Sequence, residues 1–158
     1  MFKLLIASLA TASALKVANT PSAQPLLKLR GGGITDLDTA SLVGVAYFGG
    51  FGVTLLANPE MFYGANGILP YFKTPAGAVG TFFGRSFGAM MTGMAAIHFL
   101  NGPSADIAKA MAIACVCMLP QMYANSQDEV NMVTMLWKAQ IVAHVGVAYI
   151  MAKASGLI

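Results

Sequence analysis

Residues Ala76 to Leu100 read AGAVGTFFGRSFGAMMTGMAAIHFL, and the spacing of their small side chains decides the fold. Ala76, Gly80, Gly84, Gly88, Thr92 and Ala96 recur at every fourth position. In a helix, residues four apart stand one above another on the same face, so this row forms a groove nearly free of side chains. In water, each central glycine would weaken a helix by about 0.8–1 kcal/mol relative to alanine. In a bilayer the backbone must bond to itself in any case, and a small-xxx-small row lets a second helix come close. Phe82, Phe83, Phe87 and the methionines around the row are too apolar for a glycine-rich soluble loop. The stretch predicts a membrane helix built to be packed against.

Upstream, Leu42 to Ala57 (LVGVAYFGGFGVTLLA) predicts a second such helix, with its own row of fours in Ala46, Gly50 and Thr54. That row is the expected partner of the groove; the alternative is a groove that faces outward to another protein. Thr35, Asp36 and Asp38 offer an N-cap and first-turn acids, which suit the positive end of a helix dipole. Asn58-Pro59 ends the helix, because the residue before proline is pushed out of the helical region. The loop from Glu60 to Thr74 carries Met61, Phe62, Tyr63, Tyr71 and Phe72 beside Lys73, which reads as an interfacial aromatic belt. A lid is the alternative reading.

Downstream, Asn101-Gly102-Pro103 closes the glycine-row helix. Ala110 to Ala124 predicts a third span, kinked at Pro120, and Val130 to Met151 a fourth, with Lys153 and Ser155-Gly156 after it. Four helices joined by short loops predict an all-α, integral membrane, four-helix up-down bundle over residues 34–158. Lys and Arg divide nearly evenly between the two ends, so no orientation follows.

Composition agrees. The 158 residues are 57% hydrophobic and only 9% charged, against about 25% charged in soluble domains. Lys3, Lys16, Lys28 and Arg30 stand among residues 1–33 with no acid, whereas five basic residues face six acids in the rest. The basic pI therefore belongs to the leader, and no nucleic-acid partner follows from it. Cys115 and Cys117, two apart on a helix, point away from each other and read as packing thiols.

Met1 to Ala14 (MFKLLIASLATASA) has an early lysine, a short apolar core and Ala12-Ser13-Ala14 as a cleavage site, the pattern of a signal peptide. Residues 15–33 are basic, acid-free and hydroxylated, with Pro21 and Pro25 before Gly31-Gly32-Gly33, a transit-like linker. Together they resemble the two-part presequence of algae with red-lineage secondary plastids, although Leu15 stands where that pattern has an aromatic residue. The resemblance implies a plastid membrane, thylakoid or envelope; a plain secretory or endomembrane signal is the alternative.

Ionisable and amide groups inside a bilayer are costly unless paired and so mark candidate sites. They are Arg85, His98, Lys138, Gln140 and His144. Arg85 and Lys138 lie near one membrane side and are expected to pair with loop acids or to snorkel to headgroups. Gln140 and His144 are four apart and share a face with Trp137 and Ala148 near mid-membrane. His144 or His98 as a neutral imidazole suits chlorophyll magnesium or iron as a ligand, or simply a backbone carbonyl as a donor. The absence of a carboxylate from every expected span speaks against a proton-relay transporter or a di-metal carboxylate oxidase.

The four short spans, Asn58-Pro59-Glu60 and Gly84-Arg85-Ser86-Phe87-Gly88 resemble small DoxX-like membrane proteins. That family has no uniform activity, and the resemblance implies at most a quinone or another small apolar ligand. The sequence holds no nucleophile with a base, no metal-ligand spacing and no phosphate loop. It therefore favours a non-enzymatic accessory or scaffold subunit of a plastid membrane complex, with lipid and a larger complex as partners, over a quinone-handling protein.

Overall fold

The computed structural model describes residues 33–158; the expected signal peptide at 1–14 and nearly all of the linker at 15–33 lie outside the described residues. The order is α1 (Leu37–Ala57), α2 (Pro59–Tyr63), α3 (Gly77–Asn101), α4 (Ala105–Gln127) and α5 (Thr134–Ala154). The only ladder among the described residues is an isolated antiparallel bridge between Phe72 and Met132. Among the described residues the fold is all-helical. Helices α1, α4 and α5 are each long and apolar enough to cross a membrane. Helix α3 is 25 residues long, but five glycines, Arg85 and His98 keep it from the same degree of apolar character.

Local chemistry sets the ends. Asp36 caps α1, its carboxylate accepting from the Thr39 N–H at 2.9 Å. Asn58 closes α1 and caps α2, where Pro59 sits at the first turn, a position that needs no N–H. Gly102 ends α3 at φ 76°, a conformation in which a Cβ would be strained. Ser104 caps α4. Pro120 lies within α4, which continues through it to Gln127.

Helix α1 is the centre of the packing, touching α3 on one side and the α4–α5 hairpin on the other. Its contact with α3 is antiparallel and very close. A Cβ on Gly88 would come within 2.5 Å of the Leu56 nitrogen and 2.7 Å of the Gly52 carbonyl oxygen. One on Gly52 would come within 2.6 Å of the Thr92 nitrogen, and one on Gly49 would rest 3.5 Å from the Ala95 methyl. On the hairpin side, Gly44 faces Met111 of α4 and Met151 of α5. The buried core runs through Phe48, Met91, Ala108, Cys115, Val147 and Met151. Helix α3 makes no comparable contact with α4 or α5. A cleft is left between them.

The α1 face at the seam differs from the expected one. Gly88 and Thr92 do meet α1, but at Gly52, Leu55 and Leu56, while Gly84 lies mainly against Pro59 of α2 and reaches α1 only at Leu55. Ala46 and Gly50 are exposed, with nothing within 4 Å of a Cβ on Gly50, and Thr54 is half-buried. Two small-residue rows run along α1, and the one flanking Phe48, which is buried, is turned inward with it. On α3 the row is split by depth: Gly88 is buried, Ala76, Gly80, Gly84 and Thr92 are half-buried, and Ala96 is exposed.

Candidate functional site

The cleft encloses about 590 Å³. Its floor is α1, through Tyr47, Phe51 and Leu55. One wall is α3, through Gly80, Phe83, Gly84, Phe87 and Met91; the opposite wall is Met118, Gln121 and Met122 of α4 with Trp137, Gln140 and His144 of α5. One end is roofed by Pro59 and Tyr63 of α2 and by the segment Tyr71, Phe72, Thr74, Pro75 and Ala76. Gly80 and Gly84 keep the α3 wall thin, so glycines expected to admit another helix also make room for a cavity.

The roof is tied down by backbone. Lys73 N–H donates to the Asn131 carbonyl at 2.7 Å, and Val133 N–H donates to the Tyr71 carbonyl at 3.0 Å. Trp137 Nε1 donates to the same Tyr71 carbonyl at 3.2 Å, and Lys73 Nζ reaches the Glu129 carbonyl. The Glu60 carboxylate accepts from the Ala76 N–H at 3.0 Å, anchoring the entry to α3. These bonds join the turn after α2 to the turn between α4 and α5. They hold the ends of the cleft's walls at a fixed separation.

Aromatic rings line the covered end in an unbroken series. Their centroids are 5.5 Å apart from His144 to Tyr47, 5.1 Å from Tyr47 to Phe51 and 6.0 Å from Phe51 to Tyr63. The series continues at 5.7 Å from Tyr63 to Tyr71 and 5.1 Å from Tyr71 to Trp137. All fall within the 4.5–7 Å range of favourable ring pairs. Tyr63 and Tyr71 are 7% and 8% exposed, so they roof a cavity and are not an interfacial belt. Burial holds both hydroxyls above the ordinary tyrosine pKa, with Tyr63 adding to the effect on Tyr71 and the bond to Thr54 opposing it on Tyr63. They remain protonated at neutral pH.

Across this aromatic lining runs one chain of polar groups. Tyr71 Oη donates to Gln140 Oε1 at 2.7 Å, Gln140 Nε2 donates to Tyr47 Oη, and Tyr47 Oη meets His144 Nδ1 at 2.6 Å. His144 is 4% exposed. Its Nε2 is enclosed and has no hydrogen-bond partner. Of the residues singled out from sequence, Gln140 and His144 thus come together in the cleft with Trp137. Tyr47, Tyr63 and Tyr71 complete the site and were not singled out for it; buried tyrosine hydroxyls that need a partner were the available signal.

The remaining candidates lie elsewhere. His98 is 1% exposed, and neither of its ring nitrogens has a partner. Arg85 and Lys138 are exposed, and the only ion pair among the described residues is Lys109 with Asp106, so neither is paired with a loop acid. As placed, neither imidazole presents an open nitrogen to a pigment's magnesium, since His144 Nδ1 is taken by Tyr47 and the other three nitrogens are enclosed. No group of three His, Cys, Asp or Glu side chains suited to a metal ion occurs among the described residues. Cys115 is buried and Cys117 exposed, consistent with opposite directions. No family model, characterised protein or solved structure matches the chain.

Proposed function

We propose that this chain is a four-span integral membrane protein that holds one small, largely apolar molecule in the cleft between α3 and the α4–α5 hairpin. The observation that carries this reading is the cleft itself: about 590 Å³, walled by aromatic and methionine side chains, with a single polar chain at one end. Binding sites for small molecules have this volume and this ratio of apolar wall to placed polar groups. Helix α3 spans with the others. Its outward side carries Val79, Phe82, Met90, Ile97 and Phe99, all more than half exposed, which suits lipid. Arg85 and Lys138 snorkel to headgroups. A quinone-class molecule, a flat polar head on an apolar tail, matches the cleft, as the likeness to DoxX-like proteins would have it.

Trp137 is the only tryptophan and lines the cleft, so its fluorescence reports occupancy. In detergent-purified full chain, decyl-benzoquinone should quench it with a saturable phase above the linear quenching due to micelle partitioning. Tyr47→Phe combined with Gln140→Leu should remove the saturable phase. Linear quenching alone in the unaltered protein contradicts the reading.

An accessory-subunit role is supported by a separate observation: Gly50 of α1, exposed, and Gly93 of α3, half-buried, have nothing within 4 Å of a Cβ, leaving small-residue surfaces on which another helix could pack. Co-migration with a pigmented complex in mild detergent tests it. The plastid location rests on the leader. Met1 to Gly33 fused to a fluorescent protein should reach the plastid of a red-lineage alga, Leu15→Asp should arrest it at the endoplasmic reticulum, and secretion of the unaltered fusion would contradict the assignment.

A further inference from the structure

The polar chain in the cleft has a direction, and the direction has a consequence for the ligand. An amide nitrogen can only donate, so Tyr47 Oη accepts from Gln140 Nε2 and keeps its own hydroxyl hydrogen for its other neighbour, His144 Nδ1. The same amide turns its Oε1 toward Tyr71, and Tyr71 spends its hydrogen there. Every hydroxyl hydrogen in the chain points toward His144.

Tyr63 follows the same rule. Thr54 Oγ1 donates to the carbonyls of Gly50 and Phe51, each at 3.0 Å, so the hydrogen between Thr54 and Tyr63 comes from Tyr63. The cleft is thus left with unfilled acceptor positions on Tyr71 Oη, Tyr63 Oη and Gln140 Oε1. Next to Tyr71 the spare donor is the second hydrogen of Gln140 Nε2, and Gln121 and Thr74 supply others along the lining. A carbonyl or ether head can accept from the Gln140 donor but leaves the Tyr71 acceptor position unfilled. A hydroxyl head can accept from it and also donate to Tyr71.

Building on the reading of the cleft as a binding site, we infer that it selects a hydroxyl-headed amphiphile, a long-chain phenol, quinol or alcohol, over the matching ether, ketone or quinone. Tyr71 Oη is the group that takes the ligand's hydrogen, and Gln140 is the positioning residue that keeps Tyr71's own hydrogen out of the way. At the far end of the chain, His144 Nδ1 takes the Tyr47 hydrogen.

The test uses 4-nonylphenol and 4-nonylanisole, which share a ring and a tail and differ in whether the oxygen carries a hydrogen. Binding of each to the full chain is counted by native mass spectrometry after release from detergent micelles. The phenol should bind about tenfold more tightly, the ratio expected when one hydrogen bond is lost. Tyr71→Phe should bring the two ligands to equal affinity. Equal binding of both probes by the unaltered protein, or tighter binding of the anisole, overturns the inference and leaves the binding-site reading standing. A phenol preference that survives Tyr71→Phe overturns the assignment to Tyr71. If neither probe binds, the reading of the cleft and this inference fall together.

Discussion

Helix α3 shows two faces to the rest of the molecule, and they are used in opposite ways. Along one, Gly88 and Thr92 lie against Gly52 and Leu56 of α1 so closely that backbone meets backbone. Along the other, Gly80, Phe83 and Phe87 stand off from Met118, Met122 and Gln140 across an open cleft. Both faces include glycine. The first has small residues on both partners, so the gap closes and is dry. The second has glycine on one side and bulky methionine and aromatic side chains on the other, and the roof over Tyr63 and Tyr71 sets the spacing. A glycine row therefore marks close approach only where the partner is also small; elsewhere it makes volume.

The largest expected effect lies on the closed face. Gly88→Leu would drive a side chain into the Leu56 nitrogen and the Gly52 carbonyl oxygen, neither of which can turn aside. Overpacking costs about 1–3 kcal/mol in cores that can relax, and this contact should exceed that range, measured as lost resistance to unfolding in mixed micelles. Gly84→Leu should cost less, because its first atom meets the Pro59 ring at 3.1 Å, beside the cleft into which the rest can extend. Equal effects at the two positions would mean that the faces are not distinct.

The next effect is on the open side. Gln140→Leu leaves the hydroxyls of Tyr47 and Tyr71 without their shared partner. A buried polar group left unpaired costs about 1–3 kcal/mol, so the variant should lose stability comparable to a core truncation although it adds apolar surface. No loss in the same unfolding assay would show that water enters the cleft freely.

These two results mark what was legible in the sequence. The α3 row at Gly84, Gly88 and Thr92 could be read because glycine at that spacing in an apolar helix has few other uses. Which face of α1 it meets could not, because Ala46 and Gly50 form a row as regular as Gly49 and Gly52. The choice fell to the burial of Phe48, which depends on α4 and α5 being in place. Gln140 and His144 stood out as polar groups in an apolar helix. Their tyrosine partners did not, since Tyr71 is 69 positions and Tyr47 is 93 positions from Gln140. A tyrosine at the end of a span looks the same in sequence whether it faces headgroups or roofs a cavity.

A smaller contrast follows at Gly50, which has open space where its neighbour Gly49 has Ala95. Gly50→Leu should leave the stability of the isolated chain within about 0.5 kcal/mol. If it also removes the chain from a larger complex in its native membrane, the outward row is where a partner helix packs.

The smallest effect concerns the turn that ties the roof to the hairpin. Asp128 accepts from the Asn131 side chain and from the N–H groups of Asn131 and Val130, which hold its carboxyl below the ordinary value of 3.8. Because the folded carboxyl titrates below the unfolded one, its contribution is whole above that value and is lost as pH falls through the folded one. The Lys73 and Val133 amides should then exchange faster, relative to their intrinsic rates, only below about pH 3.8. Asp128→Asn should show that faster exchange at neutral pH.

The central claim is that the space between α3 and the α4–α5 hairpin is a binding site and not a gap that lipid or collapse would remove. A structure of the full chain, extracted from its native membrane into lipid nanodiscs and never exposed to harsh detergent, tests it most directly. Elongated density should lie between Phe83 and Met118, with its one polar end at Tyr71 and Gln140 and with Gly88 still against Gly52. Helix α3 closed onto α4 and α5, with Phe87 packed on Met122 and no space left beside Trp137, would contradict it.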